Sequence, residues 1–272
     1  MLGVLNVNAI WQILIEFILR LTFGVAASMA LTPSRHVTSG FFRVHLWVLM
    51  GQCTFASLAI YSTHGAMPEQ TQHLWAWQLG LTIAAAVVSY LGAAIWMYEQ
   101  RLAGKIAIVV VAALALAGCT LTALVPQPTP SLALLADRIS GGMVLGLMTT
   151  AMLLGHWYLN TPTMQLAPLR RLIIMLAVAI GLRMLLCGVD AGLEVSRRAA
   201  AEIPVSQMWW LFLLLRWLAG LIGTLGLAWL TWKTLEIPNT QSATGILYAG
   251  VILAFIGELT AQLLSAEAVF PL

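Results

Sequence analysis

The sequence predicts an all-α polytopic membrane protein, a bundle of about eight transmembrane helices. Its 272 residues are 61% hydrophobic and only 8% charged, with a mean hydropathy of +0.92. Soluble domains carry about 25% charged residues. A soluble fold of this length has too little interior to hide so much apolar surface. We therefore expect lipid to solvate most of the chain.

Eight apolar segments approach the length of about 20 residues that a helix needs to cross a bilayer. Short connections that contain Pro and Gly separate them, so residues 1–272 are expected to form one transmembrane domain. No basic residue precedes Arg20 in the first segment, which favours a membrane helix over a signal peptide. No two segments align as an internal repeat. The predicted spans are 9–31, 41–62, 74–98, 106–125, 131–159, 171–190, 207–232 and 244–266.

Basic residues predict the orientation of the bundle. The odd-numbered connections and their helix ends carry Arg35, Arg43, Arg101, Lys105, Arg170, Arg171 and Lys233, whereas the even-numbered ones carry Arg197 and Arg198. Because cytoplasmic loops are enriched in Lys and Arg, the odd connections are predicted to be cytoplasmic. Both termini then lie on the outer, periplasmic side of a bacterial inner membrane.

Ionisable residues inside the predicted spans are the first candidates for function, because charges in a bilayer are costly. Glu16 and Arg20 are four residues apart, so they can pair on one helix or meet a charge from another. Glu258 has no Lys or Arg within four residues, so it needs a partner across helices, a proton or water. The predicted charge network comprises Glu16, Arg20, Arg183, Asp190, Arg216 and Glu258.

Three arginines, Arg138, Arg183 and Arg216, fall in the outer half of their spans. Arg138 follows Asp137, and Arg183 shares a helical face with Asp190. Such a group can bind an anion such as a lipid phosphate, a haem propionate or an anionic solute. It can equally form a structural salt-bridge network, or its members can extend toward the headgroups.

Two histidines, His45 and His156, lie at similar predicted depth on different spans. Two such imidazoles can ligate a haem b, or they can hydrogen-bond a quinone; a plain interfacial role is the third possibility. Trp157 can stack on a cofactor or belong to the interfacial aromatic belt. The predicted cofactor-binding residues are His45, His156, Arg138 and Trp157, and the histidines are metal ligands only if haem is bound.

The fifth span carries a strip of small residues that includes Gly142 and Gly146, four residues apart. Small residues let helix backbones approach closely in lipid. We therefore expect the fifth helix to occupy a central position. Cys53, Cys119 and Cys187 lie on three different spans without a CxxC motif, so neither a zinc site nor a disulfide framework is predicted.

Three functions are compatible with these features. The first is an integral subunit of a bacterial electron-transfer complex that anchors other membrane or peripheral subunits and binds haem b or quinone. In architecture, though in no particular residue, the chain resembles the small polytopic anchor subunits of bacterial respiratory complexes. The second is a proton-coupled small-solute transporter that uses Glu16, Arg20 and Glu258. The third is a non-catalytic scaffold of a membrane assembly. No nucleic-acid partner is expected.

Overall fold

The structure is a computed structural model, and it describes residues 7–63, 72–121, 129–161, 164–237 and 239–272. Within these ranges the regular secondary structure is entirely helical. Eight helices are long and apolar enough to cross a membrane, which confirms the predicted number. They are α1 Val7–Leu31, α2 Ser39–Ser62, α3 Gln72–Met97, α4 Arg101–Thr120, α5 Ser131–Asn160, α6 Ala167–Ala200, α7 Gln207–Glu236 and α8 Thr240–Ser265.

The helix ends differ from the predicted spans by up to four residues in most helices, and by more in two of them. Helix α4 begins at Arg101 rather than at residue 106, and residues 122–125 of its predicted span lie outside the described residues. Helix α6 continues to Ala200, ten residues beyond its predicted end. Its last two turns are polar, but Glu194 pairs with Arg197 and Arg198 at spacings of three and four residues. Such pairs stabilise a helix without an apolar face, so hydropathy alone ended the span too early.

The eight helices form two groups of four with the same packing order. Helix α1 packs on α2, α2 on α3, α3 on α4, and α4 packs back on α1. In the second group α5 packs on α6, α6 on α7, α7 on α8, and α8 packs back on α5. The main contact between the groups joins α1 to α5. The packing order thus repeats, although the sequence contains no detectable repeat.

Three glycines make the contact between α1 and α5 unusually close. A methyl group on Gly24 would lie 2.7 Å from the carbonyl carbon of Gly142 and 2.9 Å from the backbone nitrogen of Gly146. The backbones therefore meet with no room for side chains, as small residues allow at helix interfaces in lipid. This confirms the predicted role of the glycine strip and the central position of α5.

Helix α7 contains a π-helical segment, Arg216–Gly223, between two α-helical parts. Inside it, a methyl group on Gly220 would lie 2.5 Å from the Cα atom of Gly257 in α8. The two helices therefore also touch through backbone. Because π-helical turns are rare and occur frequently at functional sites, this segment makes the region around Arg216 a candidate functional region.

The glycine contact predicts that two similar substitutions have opposite effects. Gly146→Ala adds a methyl group against the backbone of Gly24, and overpacking of this kind costs about 1–3 kcal/mol of stability. Gly51→Ala, at an exposed helical position with no atom within 4 Å, should instead stabilise by up to about 1 kcal/mol because Ala is the better helix former. Denaturant unfolding of both variants in detergent micelles measures the difference. Equal effects would contradict the described packing.

Candidate functional site

Arg20 lies at the centre of a buried group of charged side chains. Its guanidinium contacts three carboxylates: Glu258 at 2.5 Å, Glu16 at 2.6 Å and Asp137 at 2.7 Å. Glu16 is one turn away on α1, whereas Asp137 comes from α5 and Glu258 from α8. Arg20 thus connects the two four-helix groups through charge-assisted hydrogen bonds, which are stronger than neutral ones.

Arg183, from α6, contacts two of the same carboxylates. Its Nη1 atom lies 2.6 Å from Asp137 Oδ1 and donates to the backbone oxygen of Asp137 and to Ser140 Oγ, each at 2.9 Å. Its Nη2 atom lies 3.4 Å from Glu258 Oε2. Asp137 and Glu258 are therefore each shared by Arg20 and Arg183.

Two further arginines complete the group. Arg138 donates from Nε to Glu16 Oε1 at 3.0 Å. Arg216 Nη2, in the π-helical segment, lies 4.0 Å from Glu258 Oε2 and 3.6 Å from Cys187 Sγ. We call the whole set the charge network; it draws on α1, α5, α6, α7 and α8. Its members are Glu16, Arg20, Asp137, Arg138, Arg183, Arg216 and Glu258.

The structure therefore brings together five of the six residues that the sequence assigned to an intramembrane network. The sixth, Asp190, is half-buried and makes no ion pair with any residue of the described ranges. Sequence reasoning left Asp137 and Arg138 out of the network. It also missed Gly141, where a methyl group would lie 2.8 Å from Glu258 Oε1, so that the missing side chain makes room for this carboxylate.

A cavity of about 500 Å³ reaches the charge network from one end of the bundle. We call it the vestibule. Its mouth is formed by the start of α1 and α3, the ends of α4 and α8, and the segment 266–271. Its inner end is lined by Glu16, Arg20, Asp137 and Arg138, with Gln262 at the side. The side chain of Glu16 is 29% exposed, whereas those of Arg20 and Glu258 are 5% and 3% exposed.

The C-terminal segment is held beside the vestibule by one buried carboxylate. Glu194 accepts hydrogen bonds from Arg197 and Arg198 and from the backbone nitrogens of Val269 and Phe270. On the other side, Thr129 Oγ1 donates to the backbone oxygen of Val269 at 2.6 Å. These bonds fix Val269 at the wall of the vestibule.

The two histidines predicted to bind a cofactor contact different residues. His45 is buried, its Nδ1 atom lies 2.6 Å from the backbone oxygen of Phe41, and its ring centroid lies 6.1 Å from that of Trp157. His156 is exposed, and its Nδ1 atom lies 3.3 Å from the hydroxyl of Tyr248. Trp157 itself donates from Nε1 to Thr38 Oγ1. Among the described residues, no three His, Cys, Asp or Glu side chains form a group able to hold a metal ion.

Comparisons of the chain with family models, with curated proteins and with solved structures found no match.

The shared position of Glu258 predicts a large cost for its neutralisation. Glu258→Gln removes the charge that faces Arg20 and Arg183, and leaving a buried charge without its partner costs about 3–5 kcal/mol. The matched control is Glu236→Gln, which breaks an exposed pair with Lys233 and should cost at most about 1 kcal/mol. Thermal unfolding in detergent micelles compares the two. If both variants unfold like the parent, Glu258 does not carry the buried charge balance described here.

Proposed function

We propose that this protein is a proton-coupled small-solute carrier of a bacterial inner membrane. One observation carries the proposal: the vestibule connects one end of the bundle to a buried network of ionisable groups. Ionisable residues inside membrane proteins characteristically mark ion pathways and proton relays. A static anchor needs no such opening to its buried charges.

Two features of the fold support a carrier. The repeated packing order of α1–α4 and α5–α8 resembles the parallel repeats from which several transporter folds are built, with binding sites at the interface between the repeats. The charge network lies at this interface, because Arg20 belongs to the first group and Asp137 and Glu258 to the second. The π-helical segment next to Glu258 adds a helix whose hydrogen bonding can rearrange.

The predicted orientation assigns a direction to the vestibule. It opens at the end that holds the start of α1 and the end of α8, which the distribution of Lys and Arg predicts to be the outer face. In this orientation a solute and a proton enter from outside. Glu16 is the first carboxylate of the network that they meet, since it is the most exposed of the three.

The proposal predicts solute-dependent proton movement. The purified protein is reconstituted into vesicles that contain a trapped pH dye, and small organic anions, quaternary ammonium cations and neutral polyols are added outside in turn. One of these classes should change the internal pH faster than in protein-free vesicles. Glu16→Gln should abolish the change because the accessible proton acceptor is gone, whereas Glu236→Gln should retain it. The proposal fails if no class moves protons, or if Glu16→Gln moves them as the parent does.

Electron transfer remains the second proposal, and one contact favours it. The Nδ1 atom of His45 faces a backbone oxygen, an arrangement that fixes a ring and leaves Nε2 as the nitrogen available to a haem iron or a quinone carbonyl. His156 contacts Tyr248 and Trp157 contacts Thr38, so neither supplies a second ligand to an iron bound by His45. A reduced-minus-oxidised spectrum of the purified complex should contain a haem band that His45→Ala removes. If neither proton movement nor such a band is found, the scaffold role is left.

A further inference from the structure

We infer that the vestibule is a binding site for a small amphipathic monoanion with a carboxylate-type head group, which binds together with one proton. This inference rests on the proposed carrier function and names its class of substrate. The head group lies between Arg138 and Gln262 at the inner end of the vestibule. The apolar body lies against the walls nearer the mouth, and the proton resides on Glu16.

Gln262 is the first observation that points to a ligand. Its side chain lines the vestibule, the residue is only 7% exposed, and within the described ranges neither its Nε2 nor its Oε1 atom has a hydrogen-bond partner. A buried amide without partners loses the hydration that it had in the unfolded chain and gains nothing in return. A carboxylate head group in the vestibule supplies the acceptor that the amide nitrogen Nε2 needs.

The balance of charge decides the sign of the head group. The charge network contains four guanidinium groups, of Arg20, Arg138, Arg183 and Arg216, against three carboxylates, of Glu16, Asp137 and Glu258. Over these seven described residues the net charge is therefore +1; Asp190, at the edge of the network, makes no ion pair with a described residue and is not counted. In surroundings of low dielectric constant an excess positive charge attracts an anion strongly. A cation would add to the excess.

The walls and the volume of the vestibule indicate the size and polarity of the rest of the ligand. A volume of about 500 Å³ falls in the range of small-molecule sites, which are mainly apolar with a few polar groups that orient the ligand. Apolar side chains surround the space between the mouth and the polar inner end. They include Ile13, Leu74, Trp75, Leu121 and Leu134. A short hydrocarbon or a single aromatic ring fits such walls.

Glu16 couples the anion to a proton. Its Oε1 atom accepts from both Arg20 and Arg138, so it occupies the guanidinium nitrogens that an incoming carboxylate needs. When Glu16 takes up a proton, its ion pair with Arg138 is lost. The carboxylate of the ligand then replaces Glu16 as the acceptor for Arg138. One proton and one negative charge enter together, so the net charge of the network stays at +1.

Other groups around Glu16 are held by their own contacts. Asp137 remains paired with Arg20 and Arg183, and Glu258 with the same two arginines. Cys119 of α4 also lines the vestibule, as a buried thiol. Glu16 is thus the carboxylate whose exchange of partners disturbs the network least.

The test uses three probes of nearly the same shape: benzoate, benzamide and benzylammonium. Each is titrated calorimetrically into the full-length protein in detergent micelles. Benzoate should bind, and its affinity should fall about tenfold per pH unit between about pH 6 and 8, because one proton is bound with each anion. Benzamide and benzylammonium should bind at least about tenfold more weakly, since neither supplies a carboxylate to replace Glu16 as the acceptor for Arg138.

Three variants separate the parts of the site. Gln262→Leu should weaken benzoate binding about tenfold by removing one hydrogen bond to a charged group, whereas Gln241→Leu, at an exposed position of the same helix, should leave it unchanged. Glu16→Gln, which resembles the protonated side chain, should bind benzoate with an affinity independent of pH. Thermal unfolding of each variant identifies any that fail to fold. If Glu16→Gln does not fold, Gln262→Leu still tests the binding site, because it leaves Glu16 unchanged.

The outcomes distinguish this inference from the proposed function. Preferred binding of benzylammonium or benzamide, or equal benzoate affinities for Gln262→Leu and the parent, overturns the anion site. Proton movement driven by cations or polyols in vesicles would then leave the carrier function standing with another substrate. Benzoate binding that is unaffected by pH overturns the role of Glu16 in coupling.

Discussion

The ion contacts of Glu258 with Arg20 and Arg183 hold the structure's most costly residues in place. A carboxylate of this degree of burial must be compensated by opposite charge, and here the compensation comes from both four-helix groups. The close helix contacts serve the same end. Gly24, Gly142 and Gly146 bring α1 against α5, and Gly141 leaves room for the carboxylate of Glu258. Packing and charge pairing are therefore satisfied by one arrangement of helices.

The same arrangement gives the network an accessible end and a closed end. Glu16 contacts the vestibule, whereas Glu258 and Arg183 are enclosed by protein. A change of partner at Glu16 alters the field at Arg20, and Arg20 also contacts Asp137 and Glu258. Glu16 is thus joined to the second four-helix group through two consecutive ion pairs, first with Arg20 and then from Arg20 to Asp137 or Glu258.

Sequence reasoning predicted the features that depend on local pattern. The eight helices follow from hydropathy and length, and the contact of Glu16 with Arg20 follows from their spacing on one helix. The need of Glu258 for a distant partner was predictable, but the identity of that partner was not, because it depends on how α1, α6 and α8 pack. Gln262 shares a helical face with Glu258 at a spacing of four residues, a signal that could have been used. The repeated packing order left no recognisable repeat in the sequence, since many apolar residues satisfy an outward-facing apolar position equally well.

Stability alone does not account for the charge network. A buried ion pair is weak evidence for stability, because well-packed apolar residues of similar volume are often as stabilising or more so. A bundle whose helices already meet through glycine contacts would lose little if its seven charged residues were apolar. The proposed carrier function accounts for their presence, because it requires charges that exchange partners. In that proposal the exchange begins at the vestibule, whose wall contains the half-buried carboxylate of Glu16 and the amide of Gln262, which has no hydrogen-bond partner among the described residues.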